Sequence, residues 1–134
     1  MTLLEGGRVL TMMDDQRTVL MYGKDERKGQ LWRIESNGCL RNMGHETRCL
    51  AIEGDAQGAL VHMLEGNGQD EQNWRFTDEN YVMSKLRGDG MVLHRHLVLD
   101  IIWADVPLIT DGAGLHAWHE DDSASEKWKM IPLN

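Results

Sequence analysis

Two side chains in the last third of the sequence carry chemistry that their apolar neighbours do not explain. Asp100 lies inside an apolar run, where a carboxylate needs hydrogen bonds or water because an unpaired buried charge is costly. Trp118 follows Leu115 and Ala117, and the alternation of a β-strand puts these two aliphatic residues on one face and Trp118 on the other. An outward aromatic ring and a hydrogen-bonding carboxylate suit a ligand that has both C–H groups and hydroxyl groups.

Both residues also have a purely structural interpretation. Trp118 could be a surface ring covered by a loop, and Asp100 could order a local turn. Alternation favours binding, because Leu97, Leu99 and Ile101 share one face of their strand and leave Asp100 on the other.

Residues that could support catalysis or metal binding do not form a convincing set. His94 and His96, and likewise His116 and His119, are close enough in sequence to share a metal ion, but the period of a strand produces such pairs by chance. The acidic residues 120–122 lack the spacing of a calcium loop, and no two carboxylates are marked by their spacing as a glycosidase pair. We therefore expect neither an enzyme nor a metal or cofactor site.

The charge balance excludes some classes of partner. The chain has 14 Lys and Arg against 22 Asp and Glu, a formal net charge of -8, whereas binding to nucleic acid or to an anionic membrane needs a basic surface. No apolar run is long enough to span a membrane, and the N-terminus lacks the layout of a secretory signal. We expect a protein that does not insert into membranes and is either cytoplasmic or secreted by a non-classical route.

The elements that must position these residues are short strands. The 134 residues include 14 glycines and only two prolines, and polar clusters that contain glycine separate short apolar runs. These runs are too short for ordinary helices, and no window shows a sustained helical period. The pattern predicts an all-β barrel or sandwich.

Three tryptophan motifs recur along the chain. They are Gln30-Leu31-Trp32, Gln72-Asn73-Trp74 and Glu126-Lys127-Trp128. Each follows an apolar strand, and the leucines Leu10, Leu50 and Leu99 of those strands precede their tryptophans by 22, 24 and 29 residues. A unit of this size cannot bury its own apolar face, so the three must share one core.

The repeats predict one domain over residues 1–134, with units at about 6–46, 47–92 and 93–134. Their period fits a pseudo-threefold barrel with a hairpin cap. The motif tryptophans are expected in the core, each with a backbone partner for its indole N–H.

The three motifs resemble those of the ricin B-type (R-type) lectins, a family of β-trefoil proteins. Residues 96–102 and 113–119 look most like the galactose-binding third repeats of annelid and plant members, and the resemblance runs from about residue 6 to residue 132. It implies a β-trefoil fold, a carbohydrate-binding function without catalysis, and galactose or N-acetylgalactosamine in glycans as the ligand.

The resemblance also implies a set of ligand-binding residues in the third repeat. Ser125 stands where the family has an asparagine that contacts the sugar, and Glu126 stands where it has a glutamine that steadies the aspartate. Trp103 has two interpretations: it adds a second aromatic wall, or, as the alternation of the strand also allows, it belongs with the core residues. The complete predicted set is Asp100, Trp103, Trp118, His119, Ser125 and Glu126.

The other two repeats keep less of this set. Thr11 and Ala51 occupy the position of the aspartate, and a methyl side chain cannot bind a hydroxyl group. Tyr22 and His62 are matched to the tryptophan of the third repeat. We therefore expect one principal site, with a weaker second site at Tyr22 and Gln30.

The two cysteines, Cys39 and Cys49, are too few for a disulfide framework. They are expected in neighbouring strands, and the partner that the family's disulfide would need after Cys49 is missing. We expect free or buried thiols.

Two classes of function remain open at this point. The leading one is a lectin for glycans that contain galactose, in which a homodimer or a tandem partner domain would supply the valency that a single weak site lacks. The alternative is a degenerate trefoil that binds protein partners, because two of its three sugar positions are vacant.

Overall fold

Short β-strands make up most of the regular structure. In the computed structural model, residues 1–5, 7–25, 27–53, 58–87, 96–102, 112–119 and 126–131 are described. They also contain 3₁₀ helices at Lys28–Gln30 and Asp70–Gln72. No helix among these residues is long and apolar enough to cross a membrane. The predicted all-β class is confirmed.

The strands form three antiparallel sheets of four strands each, which we call lobes one, two and three. Lobe one contains β1 (Thr2–Glu5), β2 (Arg8–Met12), β3 (Val19–Tyr22) and β12 (Lys129–Ile131), in the order β12–β1–β2–β3. Lobe two contains β4 (Trp32–Ile34), β5 (Leu40–Asn42), β6 (His45–Ile52) and β7 (Val61–Glu65), in that order. Lobe three contains β8 (Trp74–Phe76), β9 (Val82–Arg87), β10 (His96–Ile101) and β11 (Leu115–His119), in that order.

Backbone hydrogen bonds between the lobes join them into one barrel. In each lobe, a central residue of the last strand donates its N–H to a carbonyl of a segment from another lobe. The donor and acceptor pairs are Met21 and Ala113 at 2.9 Å, Met63 and Arg17 at 2.7 Å, and Ala117 and Ala59 at 2.8 Å. Three equivalent lobes around a shared core are the β-trefoil architecture, so the predicted fold is confirmed.

Each sheet joins parts of two neighbouring sequence repeats. Strands β4 and β5 come from the unit predicted at 6–46, whereas nearly all of β6 and β7 comes from the unit at 47–92. The lobe is therefore the unit of hydrogen bonding, while the repeat is the unit of sequence similarity.

Three buried tryptophans connect the lobes through the core. Trp32, Trp74 and Trp128 are 1%, 1% and 2% exposed. Their indole N–H groups donate to the carbonyls of Leu10 at 3.0 Å, Leu50 at 2.8 Å and Leu99 at 3.1 Å, respectively. These are the leucines that the sequence spacing paired with them, and the predicted core role is confirmed.

The backbone of the same tryptophans makes a second connection. Their main-chain N–H groups donate to the carbonyls of Met1 at 2.7 Å, Gly38 at 2.8 Å and Asn80 at 2.8 Å, respectively. Each acceptor belongs to the same lobe as the leucine that the indole binds. Each tryptophan therefore binds the preceding lobe through two separate N–H groups.

Cys39 and Cys49 form a disulfide, so the prediction of free thiols is wrong. The Cα atoms are 5.6 Å apart, within the usual range for such a bond. Strand β5 pairs with β6, with Arg41 opposite Cys49, and Cys39 lies two residues before Arg41. The partner that the family resemblance implies would follow Cys49, whereas the pairing of β5 and β6 supplies a partner before it.

The disulfide takes a place that apolar side chains fill in lobe three. There, Met83 pairs with Val98 as Arg41 pairs with Cys49 in lobe two. Tyr81, Met83 and Val98 form a buried cluster separate from the main core. The equivalent space is thus held by a covalent bond in one lobe and by packing in another.

Truncation of a motif tryptophan should destabilise the whole domain. We expect Trp74→Ala to lower the free energy of unfolding by about 3–5 kcal/mol, because it leaves a cavity and removes the partner of the Leu50 carbonyl. Urea denaturation measures the change. Trp118→Ala serves as the comparison and should cost far less, since its ring is only partly buried; equal losses would show that Trp118 is a core residue.

Removal of the disulfide should also be measurable. For the 10-residue separation between the two cysteines, we expect Cys39→Ala/Cys49→Ala to lose about 2–3 kcal/mol through the gain in unfolded-state entropy. Wild-type protein treated with a reductant should show a similar loss. Free thiols in the unfolded, unreduced protein would contradict the assignment.

Candidate functional site

The register of β10 and β11 brings the predicted binding positions together. Trp118 lies opposite Val98, and His116 lies opposite Asp100. Ala117, which lies between His116 and Trp118 on β11, is fully buried in the core. Since neighbouring residues of a strand point to opposite faces, Trp118 and His116 belong to the outer face, as the sequence predicts for Trp118.

The indole of Trp118 is partly buried and lies beside a second ring. Its centroid is 5.2 Å from that of His116, with 21° between the planes. A Cβ atom added to Gly58 would lie 3.5 Å from Cζ3 of Trp118. Gly58 has a φ of +89°, a backbone conformation that favours glycine.

A third segment extends this outer face beside β11. Gly58 donates its N–H to the carbonyl of Ala117 at 2.7 Å, and Leu60 forms an isolated bridge with His116. We define the outer face of lobe three by five register positions on these three adjacent segments, which are Gly58, Leu60, Asp100, His116 and Trp118.

Sequence reasoning missed the contribution of Gly58 and Leu60. The contact joins residues 58–60 to β11, which lies more than 50 positions further along the chain. A local pattern of residues cannot predict a contact over this separation. The sequence signal is a glycine two residues before a leucine at the start of an apolar run, and glycine is common throughout this chain.

The other predicted site residues are placed as follows. Trp103 and Ser125 lie outside the described residues. Asp100 and His119 are described by their backbone in β10 and β11, with His119 opposite Leu97. Glu126 is fully buried at 0% exposure.

The motif glutamines of the first two repeats brace a loop. Gln30 accepts a hydrogen bond from the N–H of Asp25 at 2.9 Å and donates to the carbonyl of Gly23 at 2.8 Å. Gln72 likewise accepts from the N–H of Asn67 and donates to the carbonyl of Glu65, the last residue of β7. Glu126 replaces this residue in the third motif, and an ionised carboxylate can reproduce the accepted bond but not the donated one.

The equivalent face of lobe one carries an aromatic ring without the acid. Tyr22 lies opposite Val9, and Thr11 lies opposite Leu20. Thr11 is fully buried and donates its hydroxyl to the carbonyl of Val9 at 3.0 Å. Its hydroxyl is thus used within the strand.

The ring of Tyr22 already has a cationic neighbour. The guanidinium of Arg27 lies 5.6 Å from the ring centroid and also forms an ion pair with Asp25 at 2.8 Å. Together with the bracing role of Gln30, these contacts account structurally for both residues of the weaker second site.

Lobe two requires a correction to the matching of repeats. Leu64 lies opposite Cys49, and His62 lies opposite Ala51. By this register the counterpart of Trp118 is Leu64, so the sequence-based matching of His62 to Trp118 is wrong. The segments between paired strands differ in length among the repeats, and counting along the sequence shifted the match by two residues.

An ion pair occupies the outer face of lobe two. His62 Nδ1 lies 2.7 Å from Glu53 Oε1, and Arg17 donates to the same oxygen at 2.7 Å. The hydrogen bond from His62, together with the charges of His62 and Arg17, lowers the pKa of Glu53. This face therefore has polar groups that bind one another and a leucine where lobe three has its indole.

The segment that flanks lobe two is held by an acidic turn. Asp15 accepts hydrogen bonds from the hydroxyl and N–H of Thr18 at 2.6 and 2.8 Å, and from the N–H of Arg17 at 2.9 Å. These bonds lower the pKa of Asp15 to about 2. Thr18 forms a bridge with His62, so the turn supports the ion pair structurally.

A polar cleft of about 330 Å³ lies elsewhere, beside the disulfide. It lies between β5, β6 and the loop after β7, and Glu65 on its wall is paired with Arg48 at 3.3 Å. None of the described residues that line it is aromatic, so it lacks the stacking surface that lobe three offers.

Comparison with known proteins identifies the same architecture. A family model, the ricin-type beta-trefoil lectin domain, matches residues 2–128. A designed threefold symmetric protein, ThreeFoil, is similar at 21% identity and a TM-score of 0.77, over 98% of this chain and 97% of that chain. Comparison with curated proteins finds no match.

Two natural structures show the same fold. The C-half of the earthworm R-type lectin is 19% identical with a TM-score of 0.70, over 96% of this chain and 95% of that one. A non-toxic homologue of type II RIPs from Momordica charantia (bitter gourd) is 18% identical with a TM-score of 0.72, over 96% of this chain and 46% of that one. Since the family match covers nearly the whole sequence, the chain belongs to the ricin-type β-trefoil lectin domain family.

Proposed function

We propose that this lectin domain binds glycans that contain galactose or N-acetylgalactosamine, at the outer face of lobe three. The observation that carries the proposal is the pairing of an aromatic and an acidic residue at neighbouring register positions. The corresponding pairs are Trp118 with Asp100 in lobe three, Tyr22 with Thr11 in lobe one and Leu64 with Ala51 in lobe two.

Trp118 provides the stacking surface of this site. One face of a galactose ring carries several C–H groups, and stacking on an indole removes this apolar surface from water. The indole of Trp118 stacks on the ring of His116, and this contact restricts the orientations of the indole. A side chain that is ordered before binding loses less conformational entropy when the sugar binds.

Asp100 provides the selectivity for galactose. Its two carboxylate oxygens accept hydrogen bonds from the adjacent O3 and O4 hydroxyls, and bonds to an ionised acceptor are stronger than neutral ones. Glucose directs O4 differently, so it leaves one bond unmade and a polar group unpaired. The resemblance to the family adds Trp103, His119, Ser125 and Glu126 to the proposed set of ligand-binding residues; Trp103 and Ser125 lie outside the described residues.

Known relatives are consistent with this class of ligand. The earthworm structure is a complex with GalNAc, and the bitter gourd structure is a complex with α-methyl-D-galactoside. The lectin domain of the Vibrio vulnificus hemolysin/cytolysin, with a TM-score of 0.74, has N-acetyl-D-lactosamine bound. Together with the family membership, these ligands support a galactose-type sugar; the proposed activity is binding and includes no catalytic step.

A single site has a consequence for how the protein acts. A monosaccharide is expected to bind with a Kd on the order of 0.1–1 mM, because a small polar ligand exchanges hydrogen bonds with water for hydrogen bonds with protein. Cross-linking of cells would then require a homodimer or a tandem domain, which raises the effective concentration of sites.

Substitution of the two principal residues should abolish sugar binding while the protein stays folded. We expect Asp100→Asn and Trp118→Ala each to weaken galactose binding at least tenfold in calorimetric titrations, because one removes the charged acceptor and the other the stacking surface. Leu64→Ala changes the matching position of lobe two and should leave the affinity unchanged. Glucose should bind the wild-type protein more weakly than galactose.

Two results would contradict the proposal in different ways. Unchanged galactose affinity in folded Asp100→Asn would show that the site lies in another lobe. An absence of binding to galactose, N-acetylgalactosamine and a full glycan array by folded wild-type protein would favour the alternative, a trefoil that binds protein partners.

A further inference from the structure

Leu60 is an exposed apolar side chain at the edge of the outer face of lobe three. It is 48% exposed, the largest exposure among the described large hydrophobic residues. Its backbone is held in place, because its carbonyl accepts a hydrogen bond from the N–H of Glu53 at 2.9 Å and it forms a bridge with His116. The leucine side chain is therefore presented from a fixed position.

The equivalent positions in the other lobes carry no such group. In lobe one, Met21 is bonded to Ala113 in the same way that Ala117 is bonded to Ala59 in lobe three. Gly114 follows Ala113 as Leu60 follows Ala59, so Gly114 is the counterpart of Leu60. In lobe two the residue that bridges His62 is Thr18. The lobe that pairs an aromatic with an acidic residue is thus also the one with a large apolar residue at this position.

Leu60 and Asp100 lie on opposite sides of His116. The three residues are directly adjacent across three neighbouring segments. Neighbouring strands are about 4.8 Å apart, so the backbones of Leu60 and Asp100 are separated by roughly 10 Å. This span accommodates one pyranose ring and the first atoms of a group attached to it.

We infer that Leu60 forms a subsite for an apolar group at the anomeric carbon of the bound galactoside. The inference rests on the proposed function, in which Asp100 binds O3 and O4. In a pyranose ring the anomeric carbon lies across from C4, so a sugar held by these hydroxyls directs its anomeric substituent away from Asp100 and toward Leu60. The preferred ligand class is a galactoside with an aromatic or aliphatic aglycone.

The physical gain comes from apolar surface that is removed from water on both partners. Covering a few tens of Å² on Leu60 and on an aryl group should strengthen binding roughly 5- to 10-fold. A methyl group is too small to cover much of the leucine.

The test compares two galactosides on three proteins by calorimetric titration. Wild-type protein should bind p-nitrophenyl galactoside about 5- to 10-fold more tightly than methyl galactoside. Leu60→Ala should remove this preference, so that the two galactosides bind it with nearly equal affinity. Met130→Ala truncates another exposed hydrophobic residue, on β12, and should behave as wild type.

The outcomes separate this inference from the proposed function. Equal affinities of wild-type protein for the two galactosides, or a preference that survives in Leu60→Ala, would overturn the subsite while the galactose site stands. A failure of folded wild-type protein to bind either galactoside would overturn both. Thermal melting confirms that each variant is folded, and replacement of an exposed side chain should leave the melting temperature near that of the wild type.

Discussion

The fold depends on a bond that occurs once for each lobe, the donation of a buried indole N–H to a leucine carbonyl. An indole brings a large apolar surface into the core but also a polar group that must be satisfied there. Trp32, Trp74 and Trp128 satisfy it at 2.8–3.1 Å with the preceding lobe. Because their backbone N–H groups bind that same lobe, the three tryptophans fix how the sheets are oriented around the core.

This internal framework leaves the outer faces free to differ. The residues that alternate with the core positions make no contribution to the indole bonds, so the chemistry of these residues can differ from lobe to lobe. On the outer face of lobe two, His62 and Glu53 bind each other. In lobe one, the hydroxyl of Thr11 donates to a carbonyl of its own strand. Lobe three keeps an indole and an acidic residue at neighbouring register positions, which is why we propose the sugar site there.

The disulfide also shows that lobes with the same strand arrangement can be stabilised by different side chains. The space between the hairpin and the next strand must be filled in every lobe, because a void there would forfeit packing contacts. In lobe three Tyr81, Met83 and Val98 fill it, whereas lobe two uses the bond between Cys39 and Cys49. Sequence similarity to the family gave no indication of this pair, since the family partner was sought on the other side of Cys49.

Local patterns in the sequence determined where the strands and the three motifs lie, and which residues of β11 point to the outer face. These features depend on residues that are close together in the chain. The spacing from Leu50 to Trp74 also has a structural cause, because the indole N–H of Trp74 donates to the Leu50 carbonyl of the preceding lobe. Tertiary structure alone decided which residues of different repeats are equivalent, because loops of unequal length hide the register that placed Leu64, and not His62, opposite Cys49. It also decided that Leu60 lies beside His116, since closure of the barrel brings together segments that no local period relates.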